Sequence, residues 1–225
     1  MWHKRLTLML AALAVLLLVI SGPGTRAGLW PFRVGFGMFA GALLVGLAAA
    51  GAAIVGLALP RQRAHSAPLL AVALVLGAVS AAVPLDHLRR IKTLPYINDI
   101  TTDTERPPQF SPPKPYQEHF AELQRIGYPG LRPLELPLPP KQTFARALET
   151  ARGRGWEITA LDESAGRIEA VVTTRWFGFQ DDVVIRITPA RTGSRVDMRS
   201  RSRVGRSDLG ANACRIEEFL ARMKP

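Results

Sequence analysis

The first 85 residues of this 225-residue chain contain no aspartate and no glutamate, although the chain has 18 acidic residues in all. The same segment holds only six of the 29 lysine and arginine residues. Such a strong separation of charge excludes a simple soluble globular protein and a chain that is disordered throughout. The sequence therefore divides into an apolar half and a soluble half.

Cysteine is almost absent as well. The single Cys214 cannot form an intramolecular disulfide, which excludes a disulfide-stapled miniprotein. Its place in a helical pattern predicts a small, buried apolar role. The formal net charge of +11 is weak evidence for nucleic acid, because lysine and arginine beside apolar runs are ordinary topology signals.

Three apolar runs predict a transmembrane region over residues 1–88, with spans at about 6–20, 34–59 and 69–85. A helix needs about 17–25 apolar residues to cross the hydrocarbon core, so the second run spans it and the third just reaches. The first run fits either an uncleaved helix or a cleaved signal peptide, and small residues at 21–24 predict its end. Both versions put the C-terminal domain in the periplasm if the loop at 61–65 is cytoplasmic. Charge counting alone does not fix the orientation, because it is nearly balanced.

The predicted spans are also free of charged and histidine residues, which disfavours a transporter or channel. Small residues recur at helical spacing in the second and third spans. Such faces predict close helix contact, within a hairpin or in a homodimer, unless they only fill an undemanding anchor. The residues concerned are Gly37, Gly41, Ala42, Gly46, Ala73, Gly77 and Ala81.

Residues 89–138 are rich in proline and predict an extended segment, here called the strap. Residues 96–108 are dense in Asn, Asp and Thr, whose side chains bond nearby backbone amides, so we expect them to pack in order. One short helix is predicted at 116–126, with Phe120, Leu123 and Ile126 on one inner face. Its Glu118, His119 and Glu122 lack a second ligand pair nearby, so no metal site and no cofactor are predicted.

Residues 139–225 predict a soluble α+β domain. A helix starts at Pro139–Pro140 and stops at Gly153, four alternating strands follow, and a helix runs from about 207 to 223. The strands are expected at 156–161, 167–174, 182–188 and 194–203. The predicted fold class is thus an α-helical membrane anchor plus an α+β two-layer domain of helix, four-stranded antiparallel sheet and helix.

Three blocks of this sequence resemble domain-of-unknown-function family 1499, a bacterial and plastid family without an established activity. They are residues 96–108 (YINDITTDTERPP), 181–187 (DDVVIRI) and 197–212 (DMRSRSRVGRSDLGAN), and the resemblance covers about residues 90–225. It implies a domain that faces the cell envelope and therefore favours the periplasmic orientation. It implies no catalytic residues. The element order is also similar to helix-grip modules of outer-membrane assembly lipoproteins, which concerns the fold alone.

The last predicted strand and the turn after it form the best candidate site. At period two, Arg195, Asp197, Arg199, Arg201 and Arg203 share the sheet face opposite the helices, and we call this row the arginine stripe. Guanidinium groups and the amides of a helix N-terminus bind phosphates or carboxylates. We expect polar residues of the strap to complete such a site here. The predicted ligand-binding residues are Arg199, Arg201, Arg203, Ser207, Asp208, Asn212, Asn98, Asp99, Thr101 and Asp103.

A structural network is the alternative interpretation of the same residues. Ser207 has the residue type of a helix N-cap, and Asp208 would repel an anion there. Carboxylates on neighbouring strands are placed to pair with the stripe across the sheet, namely Glu157, Glu169 and Asp182.

Enzymatic motifs are weak, so no catalytic residue is predicted. Ser207 lies in G-x-S-x-x-G, which lacks the spacing of a hydrolase elbow, and adjacent Asp181 and Asp182 point to opposite sheet faces. The sequence therefore predicts an inner-membrane protein with a periplasmic binding or scaffolding module. The alternative is an enzyme or receptor for an anionic envelope ligand, using the Arg-rich last strand. Expected partners are the lipid bilayer, anionic lipid headgroups and envelope proteins. Nucleic acid is disfavoured because Trp176, Phe177 and Phe179 lie away from the stripe.

Overall fold

The structure is a computed structural model that describes residues 2–224, in two compact units. The first unit runs to Lys92 and also includes Arg175–Gly178. The second comprises Thr93–Thr174 and the residues from Phe179 onward. The strap therefore belongs almost wholly to the second unit.

The first unit contains three helices, α1 (Trp2–Arg26), α2 (Phe32–Ala58) and α3 (Pro60–Thr93). All three are long and apolar enough to cross a membrane, which confirms three candidate spans. The expected end of the first span at residues 21–24 is wrong, because α1 continues through Pro23 to Arg26. Hydroxyl groups beside the proline bond to helix carbonyls, Ser21 Oγ to Leu18 O at 2.7 Å and Thr25 Oγ1 to Ser21 O at 2.9 Å.

The small residues of α2 and α3 make a close contact within this chain. A Cβ atom added to Gly46 would lie 2.7 Å from the carbonyl oxygen of Gly77, and the converse distance is also 2.7 Å. Ala49, Ala53 and Ala73 are fully buried in the same unit. The small-residue face thus serves a hairpin contact, whereas Gly37 has no heavy atom within 4 Å of its added Cβ.

The second unit is an α+β domain with an antiparallel sheet. Its strands are β1 (Asp99–Thr101), β2 (Leu134–Leu136), β3 (Glu157–Asp162), β4 (Arg167–Thr173), β5 (Gln180–Ala190) and β6 (Gly193–Ser202). Its helices are α4 (Glu118–Gly127), α5 (Pro140–Gly153) and α6 (Ala211–Met223). The strand order is β1-β6-β5-β4-β3, and β2 also pairs with β6.

The four predicted strands correspond to β3–β6, but the predicted four-stranded sheet is too small. The strap contributes β1 and β2 to the outer edge of β6, where β1 pairs with Arg199–Arg201 and β2 with Ser194–Val196. Both added strands have only three residues, too few to show an alternating pattern.

The core lies between the sheet and the helices α5 and α6. Val196 and Met198 of β6 point into it and are fully buried, as the alternation predicted. Trp156 stacks on Phe219 of α6 with ring centroids 5.2 Å apart. This packing confirms a two-layer arrangement of helices on one sheet face.

Three local expectations about the helices are wrong. Helix α6 begins at Ala211 rather than at 207, after Gly210 in the left-handed conformation (φ 85°). Cys214 is exposed, because the buried face of α6 passes through Ala213 and Ile216 instead. The predicted helix at 116–126 exists as α4, but Ile126 on its expected inner face is 75% exposed.

Candidate functional site on the arginine stripe

The strap covers the arginine stripe, and Arg199 lies fully buried beneath it. Its Nε donates to Asp99 Oδ1 at 2.8 Å and its Nη2 to Asp99 Oδ2 at 2.7 Å, so the pair is bidentate. Its Nη1 donates to the carbonyl oxygens of Pro108 (3.3 Å) and Lys114 (3.0 Å). Each of its three guanidinium nitrogens is thus bonded inside the domain.

Two aromatic rings of the strap complete the surroundings of Arg199. Its Cζ lies 5.1 Å from the ring centroid of Phe110 and 5.3 Å from that of Tyr116, both within the range of a cation–π interaction. Burial and the charge of Asp99 raise the pKa of Tyr116 above its ordinary value, which keeps that phenol neutral. The site is therefore an enclosed guanidinium socket made by the chain itself.

A second cluster joins two carboxylates to two arginines. Arg186 Nη2 lies 3.2 Å from Asp103 Oδ2 and 3.0 Å from Asp197 Oδ2. Arg195 contacts the same carboxylates, with Nη2 3.0 Å from Asp103 and Nε 3.0 Å from Asp197. Arg186 was missed in the sequence. Arg186 could have been found from its position directly opposite Asp197 on the neighbouring strand, where opposite charges pair.

The electrostatics of Asp103 show how firmly this cluster is held. Burial by itself would raise the pKa of Asp103, but backbone N–H groups of Arg106 and Glu105 and the guanidinium groups of Arg195 and Arg186 outweigh it. The pKa of Asp103 therefore lies below its ordinary value, and its charged form is the stable one.

A third cluster centres on Asp182, on the strap side of β5. Arg203 donates to Asp182 Oδ1 from Nε at 2.9 Å and from Nη2 at 2.8 Å, and Lys114 Nζ donates to Oδ2. These donors outweigh the effect of burial and hold the pKa of Asp182 below its ordinary value. Glu169 instead accepts a bond from the Ser111 backbone N–H at 3.0 Å.

A fourth cluster lies on the opposite face of the sheet, under α6. Arg215 Nη2 lies 2.5 Å from Asp181 Oδ2, and its Nη1 donates to Ser200 Oγ at 2.7 Å and to Asn212 Oδ1. Asp181 and Asp182 thus serve different faces, as predicted from the strand period. Asn212 is fully buried on the α6 side, so the structure does not bring this predicted site residue to Arg199.

The remaining predicted residues shape the turns on either side. Asn98 Nδ2 donates to the carbonyl oxygen of Gly205 at 2.7 Å, and Thr101 Oγ1 donates to that of Asp103 at 3.3 Å. Ser207 Oγ accepts a long bond of 3.4 Å from the Leu209 N–H, so Ser207 is not the N-cap.

Asp208 performs the capping role at α6. Its Oδ2 accepts from the Asn212 N–H at 2.7 Å and its Oδ1 from the Gly210 N–H at 3.0 Å. Burial raises the pKa of Asp208, against the lowering effect of these two donors. A carboxylate of the chain therefore occupies the helix N-terminus where an anion was expected to bind.

Both ends of the stripe reach solvent, but Arg195 at the first end, 33% exposed, is paired with Asp103 and Asp197. The side chain of Arg201 is 32% exposed, with Nε 3.8 Å from Asp99 Oδ2, and that of Arg203 is 42% exposed. Next along the chain, the Arg206 guanidinium lies 5.7 Å from the ring centroid of Tyr96. Arg201, Arg203 and Arg206 together form a surface that we call the basic surface.

Residues 99–223 match the model of a family described as protein of unknown function (DUF1499). The chain belongs to this family. The match confirms the family resemblance, and it runs from β1 to the end of α6, so all four clusters lie inside the DUF1499 domain. No curated protein matches the chain.

Among residues 2–224, no group of three or more His, Cys, Asp or Glu side chains is placed to hold a metal ion. The carboxylates of Asp103 and Asp197 share the guanidinium groups of Arg186 and Arg195 as partners instead.

Proposed function

We propose that this protein is anchored in the bacterial inner membrane and presents its DUF1499 domain in the periplasm as a non-catalytic binding or scaffolding module. The main support is that five buried aspartates of the candidate site are engaged by arginines, namely Asp99, Asp103, Asp181, Asp182 and Asp197, while Asp208 caps α6. A catalytic carboxyl must exchange a proton with its substrate or attack it. Aspartates held between internal guanidinium groups favour a rigid domain with a binding surface instead.

The binding surface in this proposal is the basic surface of Arg201, Arg203 and Arg206. Tyr96 adds an exposed ring beside it, with 55% of the residue accessible. Planar guanidinium groups next to an aromatic ring suit phosphate and carboxylate groups, so the expected partners are anionic lipid headgroups or acidic envelope proteins. Tyr96 follows the end of α3 at Thr93 closely in sequence, which favours a partner at the membrane surface.

The alternative is an enzyme or receptor for an anionic envelope ligand at the same basic surface. The loose pairing of Arg201 favours this alternative. Arg201 Nε lies 3.8 Å from Asp99 Oδ2, whereas Arg199 Nη2 lies 2.7 Å from the same oxygen. The guanidinium group of Arg201 is therefore the one that a ligand could engage. Both proposals use the same three arginines. They differ in whether a bound ligand is chemically changed.

Topology is the decisive test of the location. One reporter that is active only in the periplasm and one active only in the cytoplasm are fused to the C-terminus of the full chain. The matched control places the same reporters after Leu59, between α2 and α3. We expect periplasmic activity at the C-terminus and cytoplasmic activity after Leu59, and the reverse pattern would overturn the proposed location.

Binding is tested on the full chain in neutral detergent micelles by titration with phosphatidylglycerol or phosphatidylcholine. We expect the anionic lipid to bind more tightly, and the double variant Arg201→Gln/Arg206→Gln to lose most of that preference. Arg167→Gln is the matched control, since Arg167 is 33% exposed on β4 but outside the basic surface. Equal binding of both lipids by the unaltered chain would refute the lipid proposal.

A further inference from the structure

The turn between β4 and β5 has an unusual composition. Arg175, Trp176, Phe177 and Gly178 form it, and all four group with the three helices of the first unit rather than with the second unit. Hairpin turns usually consist of Gly, Asn, Asp and other small polar residues. Two adjacent large aromatic rings at this position therefore need another explanation.

Within the helical unit, both rings rest on glycines. A Cβ atom on Gly22 of α1 would lie 2.2 Å from Trp176 Cδ1, so only glycine leaves room for the indole. A Cβ atom on Gly35 of α2 would lie 3.2 Å from Phe177 Cε1. The two rings thus lie at the C-terminal end of α1 and the N-terminal end of α2.

Two polar and aromatic contacts fix the turn at this end of the unit. Arg26 Nη1 donates to the carbonyl oxygen of Arg175 at 2.9 Å. The ring of Phe177 meets the ring of Phe36 edge-on, with centroids 4.9 Å apart.

This end of the helical unit has the composition of a membrane–water boundary. Arg26 is in the last turn of α1 and Arg33 is in the first turn of α2, and both are exposed. Trp30 lies between them, with its indole Nε1 donating to Ser21 O at 3.4 Å. Tryptophan is enriched at the interfaces of membrane proteins because its ring is apolar and its N–H is polar.

The rings are not fully covered by protein. Trp176 remains 43% exposed and Phe36 45% exposed, although each is anchored on one side. Trp176 and Phe36 lie at one end of the span-length apolar helices α1 and α2, and their exposed surface suits the boundary between headgroups and acyl chains.

We propose that the turn Arg175–Gly178 is a membrane-interface anchor, in which Trp176 and Phe177 lie at the boundary between lipid headgroups and acyl chains. The occupant of the exposed ring surface is lipid. The proposal holds for either orientation of the chain and is independent of the basic surface.

Spin labelling of the full chain in phosphatidylcholine–phosphatidylglycerol liposomes tests this directly. In a Cys214→Ser background, nitroxide labels are placed by Trp176→Cys, by Thr192→Cys in the β5–β6 turn, and by Leu44→Cys on the 69% exposed side of α2. Power saturation compares collision with oxygen, which enters lipid, and with a water-soluble nickel chelate. The measured quantity is the ratio of the collision rate with oxygen to the collision rate with the nickel chelate. We expect this ratio for the label at 176 to be several-fold above that for the label at 192 and below that for the label at 44.

A ratio at 176 equal to that at 192 would overturn the anchor, and so would a label shielded from both reagents. Should the cysteine variant fail to fold, the unaltered chain and Trp176→Phe are compared in liposomes with brominated acyl chains. Bromine quenches tryptophan that contacts lipid, so the quenched fraction of the fluorescence should fall in Trp176→Phe. An unchanged quenched fraction would likewise refute the proposal.

Discussion

The buried pair of Arg199 and Asp99 allows the sharpest test of the structural account. Their side chains are 0% and 3% exposed, and two bonds of 2.7–2.8 Å join them. Asp99→Ala would leave the guanidinium group buried without its carboxylate. Breaking a buried pair from one side costs about 3–5 kcal/mol, a large share of the roughly 5–15 kcal/mol by which typical domains are stable.

The double variant Asp99→Ala/Arg199→Met separates the pair from the rest of the socket. It leaves neither charge behind, and methionine retains an apolar chain between Phe110 and Tyr116. Replacing both members of a buried ion pair with apolar groups is often neutral or stabilising. We therefore expect the double variant to recover most of the stability that the single variant loses.

Hydrogen exchange of the full chain in detergent measures this, because it resolves individual segments. The amides of Val183–Ile185 lie in the central strand β5 and report the unfolding free energy of the α+β domain. The apolar helices α1–α3 do not contribute to this value. Glu218→Gln is the control, since it breaks the exposed pair with Arg154 and should cost less than about 1 kcal/mol. If Asp99→Ala cost no more than this control, or if the double variant were no more stable than Asp99→Ala, the reasoning would be refuted.

Three further predictions concern pH, helix packing and the thiol. The pKa of Asp182 lies below its ordinary 3.8 in the folded domain. The Asp182 carboxylate therefore stabilises the domain fully above about pH 5, and this stabilisation is lost as the pH falls through the folded-state pKa. In urea unfolding, the free energy of unfolding should therefore depend less on pH in the acid range for Asp182→Asn than for the unaltered chain. A Cβ atom at Gly77 would lie 2.7 Å from a carbonyl oxygen of α2, so thermal unfolding in detergent should show that Gly77→Val costs about 1–3 kcal/mol. The control Gly51→Val should cost less, because nothing lies within 4 Å of its added Cβ. Equal stabilities of the two variants would contradict this packing. Partial burial and the Glu218 carboxylate raise the pKa of the Cys214 thiol, so maleimide should label it faster in Glu218→Gln, and an unchanged rate would argue against this contact.

Periodic segments of the sequence could be predicted, while short or context-dependent ones could not. The strands β3–β6 show clear alternation, and α5 is bounded by Pro140 and Gly153 as the sequence indicates. The strand β1 has three residues, and its partner Arg199–Arg201 lies far along the chain, so local pattern carries no signal for it. Helix α3 continues to Thr93 past the apolar run, where Asp86 and Arg90 pair at 2.8 Å along the helix.

The candidate site was predictable in its position but not in its partners. Alternation along β6 correctly placed Arg199 on the face opposite α5 and α6, and the polar strap was expected nearby. Whether the arginine faced solvent or Asp99 depended on a pairing across 100 residues, which composition does not reveal. Asn212 was misplaced for a related reason, because the start of α6 moved from 207 to Ala211.

The separation between Asp99 and Arg199 also sets an order of events during synthesis. The two residues are 100 positions apart, and β1 and β2 both pair with β6, the strand that carries Arg199. Ribosomes add about 5–20 residues per second, so roughly 5–20 s pass before the strap meets its partner strand. During this interval β1 of the nascent strap has no partner strand. The many prolines of the strap protect it in this state, because proline opposes the edge-to-edge strand pairing through which incompletely folded chains aggregate.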